Sequence, residues 1–159
     1  MINDLQLEAD QKQIHLRAEN SLQTDPDPQT KAQLRQLSRS LLQNALGVSK
    51  TGSEVLLEIL PSQDHLGYVE LRVNDAGPGL RPEDQTEFLR NIKADSFPSE
   101  QNWGDVGPLR EAVELTQNLG GHWWIHSVPD TLTIHRLAIP VHSGAETPGN
   151  NLATTTPEK

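Results

Sequence analysis

Between Tyr68 and Asp75 the chain alternates strictly, with Val69, Leu71 and Val73 on one side and Glu70 and Arg72 on the other. That period of two predicts a half-buried strand, with Glu70 and Arg72 facing water. Val55 to Leu60 precedes it across the turn formers Pro61 to Gly67, so the two read as an antiparallel hairpin. A different period governs the preceding segment. Leu34, Leu37, Leu41, Leu42 and Ala45 recur at helical spacing, after an Asp25-Pro26-Asp27-Pro28 break in which Asp27 caps the helix and Pro28 takes its first position. Gly47 marks the expected end of that helix. Gln13 to Ala18 alternates like a strand, and Pro82 to Arg90 reads as helical. Pro108 opens a further helix with Leu109, Ala112, Val113 and Leu119 on one face, stopped by Gly120-Gly121. His122 to Ser127 and Thr131 to Val141 read as two final strands.

This order predicts an α/β (α+β) two-layer sandwich: a mixed, mostly antiparallel sheet with helices packed on one face. A chain of 159 residues suits one domain. Its expected extent is residues 10–142, preceded by a linker helix or tail over 1–9. Residues 143–159 lack the apolar content to fold and are expected to be disordered. Residues 93–107 carry turn formers and little periodicity, so they read as a long loop, of the kind that usually carries function.

Thirteen basic against 22 acidic residues leave a formal charge of −9, which argues against nucleic acid and anionic membranes as partners. Without cysteine there is neither a disulfide framework nor a thiolate metal site. No apolar run approaches a bilayer span and the amino terminus lacks a secretion signal, so a cytoplasmic protein without membrane insertion is expected.

Candidate chemistry begins at Asp75-Ala76-Gly77-Pro78-Gly79, where a strand ends. A buried carboxylate accepts hydrogen bonds and donates none, which suits an exocyclic amine such as that of adenine. Gly77 and Gly79 would let backbone approach a ring closely. The same residues also make an ordinary tight turn. Taken alone, Asn44 reads as a residue ending the helix near Gly47. His122 and His126 lie about 13 Å apart along a strand, too far to share one ion. Trp123 and Trp124 point to opposite faces, one to the core and the other to an edge or contact surface.

Three motifs occur in order: Ser40-Leu41-Leu42-Gln43-Asn44-Ala45-Leu46-Gly47-Val48-Ser49, the Asp75-to-Gly79 turn, and Leu119-Gly120-Gly121-His122-Trp123-Trp124-Ile125-His126-Ser127. Together they resemble the ATP-binding catalytic domain of sensor histidine kinases, within the gyrase, Hsp90, histidine kinase and MutL ATPases of Bergerat fold. The resemblance covers about residues 10–142. It implies ATP or ADP as ligand, with Asn44 as the N-box oxygen on the Mg²⁺ that bridges the phosphates, Asp75 as the adenine reader, and Gly77 and Gly79 beneath the base. Ser49 matches the small hydroxyl residue closing the N box, and Thr131 or Thr133 the threonine of the closing strand. Backbone amides around Gly104 and Gly107 would cradle phosphates. Arg90, Lys93 and Arg110 are either supporting cations or solvated surface charges.

The chain also departs from the family pattern. Ser40 stands at the first N-box asparagine, the position the resemblance marks as catalytic, and Gly47 replaces a phosphate-facing Lys or Arg. In Gly104-Asp105-Val106-Gly107-Pro108-Leu109, Pro108 removes an N–H and Asp105 adds negative charge. Phe88 or Phe97 stands only loosely in the place of the aromatic motif before the lid. His15 lies in a strand and lacks the surroundings of a phosphoacceptor. The implied partners are therefore a phosphoacceptor helical domain in the same or another chain and, indirectly, a response regulator. Two functional expectations follow: a catalytic domain that binds Mg-ATP under a lid at 93–107 for phosphoryl transfer to a histidine elsewhere, or a pseudokinase that keeps the scaffold as a protein-interaction module.

Overall fold

In a computed structural model of the chain, residues 3–94 and 107–141 are described. The 95–106 portion of the expected lid, including Phe97, Gly104 and Asp105, and the segment from 142 onward lie outside them. The elements run α1 (Asn3–Gln11), β1 (His15–Asn20), α2 (Pro28–Val48), β2 (Glu54–Pro61), β3 (Tyr68–Asp75), α3 (Pro82–Ala94), α4 (Gly107–Asn118), β4 (His122–Val128) and β5 (Leu132–Pro140). One five-stranded sheet has the order β1-β2-β3-β5-β4. It is mixed: β1 pairs with β2 in parallel, and the other pairings are antiparallel. The parallel pair follows from α2, a crossover long enough to return the chain in the same direction.

α2 begins as its sequence dictates. Asp27 accepts a hydrogen bond from the Thr30 N–H at 3.0 Å, and Pro28 needs no partner for its missing N–H. It passes through Gly47 and ends at Ser49, whose N–H reaches the Ala45 carbonyl. Leu34, Leu37, Leu41, Leu42, Ala45 and Leu46 are buried against Val55, Leu57, Leu71 and Val73 of the sheet and Leu109, Ala112 and Val113 of α4. Burial of each large aliphatic side chain stabilises by about 1.5–3 kcal/mol. α1 belongs to this core as well, since Leu5 and Ala9 are buried in it while Leu7 is exposed.

α4 ends where Gly120 turns with φ +77. At Gly121 a Cβ would stand 2.2 Å from the Ala138 carbonyl oxygen, so only glycine lets the helix end approach β5 this closely. No helix among the described residues is long and apolar enough to cross a membrane.

One expectation fails on β3. Glu70 faces away from the helices, as its parity requires, yet it is buried rather than solvated. Arg136 on β5 donates to both its carboxylate oxygens, at 2.9 and 3.0 Å, and Arg72 donates to one of them. Burial pushes its carboxyl upward, but the Arg136 and then the Arg72 hydrogen bonds outweigh that and hold it below the usual range. Trp124 lies on the same face, 5.0 Å from the Arg136 guanidinium, whereas Trp123 turns inward against Phe88 and His135.

Candidate functional site

The end of β3 sets the site. Asp75 pairs in register with Thr133 on β5, and Thr133 pairs with Ser127 on β4, so three adjacent strands set these side chains in a row. All three are buried. Ser127 Oγ lies 2.9 Å from Thr133 Oγ1 and accepts the Leu80 N–H at 2.8 Å, which ties the segment after Gly79 to the sheet. Thr133, not Thr131, is the inward threonine, because Thr131 is exposed in the turn before β5.

Both glycines are required by geometry. Gly79 has φ +70, and a Cβ there would stand 2.6 Å from Ser127 Oγ. At Gly77 a Cβ would stand 2.9 Å from Val48 Cγ2 and 3.0 Å from the Val48 carbonyl oxygen. The carboxyl end of α2 therefore abuts the glycine turn, and Asn44 and Asp75 line the same cavity.

Between these parts lies a cleft that opens to solvent. Asn44 and Val48 line it from α2, Phe88 from α3 and Leu109 from α4. Asp75, Thr133, Ile125 and His135 line it from the sheet, and Pro78, Gly79 and Leu80 from the turn. It is a largely apolar slot with a few converging polar groups, the usual character of a small-molecule site. Nothing local in the sequence marks His135, Ile125, Leu80 or Ser127 for this place, although Ile125 and Ser127 lie within the Leu119-to-Ser127 motif.

Asp75 is 2 % exposed, and its hydrogen bond in the structure is from the Gly77 N–H at 2.9 Å. Burial raises its carboxyl to about 6, against a smaller lowering by that amide. A buried carboxylate with spare acceptor capacity, aimed into a slot, is built to receive a donor.

Other sequence candidates lie elsewhere. Ser40 is buried in α2, and Ser49 caps that helix. Gly107 opens α4 and Arg110 is half-buried on its first turn. None of these four lines the cavity. Gly47 has nothing within 4 Å of a Cβ position, so a long side chain would fit there and the chain supplies none. Arg90 is exposed, and His15 starts β1 with its side chain exposed. No cluster of three metal-ligating side chains occurs among the described residues.

No family model matches the chain. The adaptive-response sensory kinase SasA of Prochlorococcus marinus (strain MIT 9313) is 33% identical over 110 residues, 68% of this chain and 29% of that kinase. The chain thus spans less than a third of the curated relatives it matches. In structure it is similar to the nucleotide-free catalytic domain of histidine kinase ThkA, with a TM-score of 0.65 at 16% identity, over 87% of this chain and 86% of that one. Full-length ShkA in complex with AMPPNP aligns with a TM-score of 0.64 at 22% identity, over 88% of this chain and 28% of that one. The chain thus has the fold of histidine kinase catalytic domains and is related in sequence to the SasA sensory kinases.

Proposed function

We propose that this domain binds Mg-ATP and serves as the catalytic domain of a sensor histidine kinase, presenting the γ-phosphoryl group to a histidine on a separate helical domain. The observation that carries the reading is Asp75: a buried carboxylate lining a cavity, beside a turn in which a Cβ at Gly77 or Gly79 would clash. Its free acceptor sites fit the exocyclic amine of adenine. Val48, Ile125 and Leu80 supply apolar walls for the ring faces. Asn44 lines the same cavity and offers an amide oxygen, the ligand type that Mg²⁺ takes beside substrate phosphates. Catalysis of this kind rests on positioning and charge neutralisation, so the protein's part is to hold the base end rigidly and present the phosphates at the cavity mouth.

A pseudokinase is the second reading, and one observation favours it. Pro108, the second residue of α4, offers no N–H at the helix start where phosphates would be held.

A fluorescent ATP analogue titrated into the chain with and without Mg²⁺ tests the proposal. Asp75→Asn is expected to weaken binding by about 100-fold, the scale of a hydrogen bond to a charged group. Asn44→Ala is expected to weaken only the Mg²⁺-dependent part. Undetectable binding by the parent at millimolar nucleotide would leave the pseudokinase reading in possession.

A further inference from the structure

His135 is one of the residues that line the cavity. It faces inward on β5 two residues beyond Thr133, which sets it roughly 7 Å farther along the strand than the Asp75–Thr133 pair. The residue is 4 % exposed, and its Nδ1 is buried without a hydrogen-bond partner. Its ring lies nearly parallel to Trp123, at 10° and 6.2 Å between centroids, and Trp123 Nε1 is also buried without a partner. Its cross-strand neighbours on this level, Val73 and Ile125, are aliphatic and offer no side-chain bond. An unmet buried polar group costs about 1–3 kcal/mol, a cost that phenylalanine in the same place would avoid.

We propose that His135 is a base-contacting residue whose Nδ1–H donates a hydrogen bond to a ring nitrogen of the purine held by Asp75. The inference deepens the nucleotide-binding reading and rests on it. The unprotonated ring nitrogens of adenine are acceptors only, so a partner for them must donate. A neutral imidazole carries one N–H donor and one acceptor, and its tautomer adapts to the ligand. Burial holds the ring neutral, with its pKa lowered to about 4. Asp75 accepting from the amine and His135 donating to the ring form a complementary pair. A 6-oxopurine presents an acceptor where Asp75 needs a donor, so the same pair rejects it.

The test uses the full chain and calorimetric titration with Mg²⁺ and ATP, 1-deaza-ATP, 3-deaza-ATP or 7-deaza-ATP, on the parent, His135→Phe and Asp75→Asn. His135→Phe is expected to bind ATP about tenfold more weakly than the parent, the scale of one hydrogen bond. One deaza analogue should carry a similar penalty with the parent and none with His135→Phe. Equal ATP binding by parent and His135→Phe, or deaza penalties unchanged by the substitution, overturns the assignment. A histidine that merely fills space would alter stability without selecting among the analogues. Should His135→Phe not fold, the imidazole ¹⁵N resonances of the parent decide: movement of the His135 Nδ1 signal at saturating AMP supports the contact, and an unmoved signal overturns it. A parent that binds nucleotide and depends on Asp75 but ignores His135 refutes this inference alone. A parent that binds no nucleotide, or binds equally well as Asp75→Asn, removes both readings.

Discussion

Strand β3 carries two buried carboxylates on opposite faces, and they were built for different ends. Glu70 lies under two guanidinium groups that satisfy it and hold its pKa down. Asp75 has one backbone amide and a pKa raised to about 6. Glu70 is internally neutralised, so it contributes to the folded state and has no capacity left for a ligand. Asp75 destabilises the empty domain and keeps its acceptor sites open. Burial alone therefore does not mark a site; the missing counter-charge does.

The largest expected effect would break the comparison at Glu70. Glu70→Gln leaves Arg136 and Arg72 without their shared anion and should destabilise the domain by about 3 kcal/mol in urea denaturation, while nucleotide affinity stays within about twofold. Loss of affinity in that variant would mean that the two faces are coupled.

Asp75→Asn should act in the opposite sense on stability, raising it by about 2 kcal/mol at pH 7.5 even as binding is lost. The sign follows from the raised pKa: the contribution of the Asp75 proton is fully present below the unfolded-chain value of 3.8 and is lost as pH rises through about 6. His135 slopes the other way. Its lowered pKa gives a contribution present above 6.5 that is lost as pH falls through about 4. In the parent the two slopes oppose each other between these limits. Asp75→Asn exposes the histidine slope, so urea midpoints at pH 4.5 and 7.5 should differ more in the variant than in the parent.

Gly79→Ala meets both a left-handed φ and Ser127 Oγ. It should cost about 1–2 kcal/mol of stability and weaken nucleotide binding as the turn shifts. Smallest is Trp124→Leu, which removes the stacking on Arg136 from the satisfied face and should cost about 0.5–1 kcal/mol with no change in nucleotide affinity.

Much of this could be read from the sequence where the signal is local. The Asp27 cap, the leucine spacing of α2, the β2–β3 hairpin and the glycine turn all express their own neighbours' chemistry, and each appears where expected. Glu70 shows the limit. Its facing was set by parity, but its burial depends on Arg136, 66 residues away. The choice between Thr131 and Thr133 had the same cause, since the two share a parity and only the turn at Asp130, with φ +59, decides which of them enters the strand. His135 was illegible because one histidine among aliphatic positions has no periodic signature; the cavity that gives it meaning is assembled from α2, α3, α4 and three strands.

The contact at Gly121 has a mechanical consequence for α4. With no Cβ between the helix end and the Ala138 carbonyl, the carboxyl terminus of α4 packs directly on β5. A tilt of the helix about that contact makes its twelve residues a lever of about 18 Å. A tilt of about five degrees would shift its first turn, whose Leu109 lines the cavity, by about 1.5 Å while Asp75 stays in place on β3.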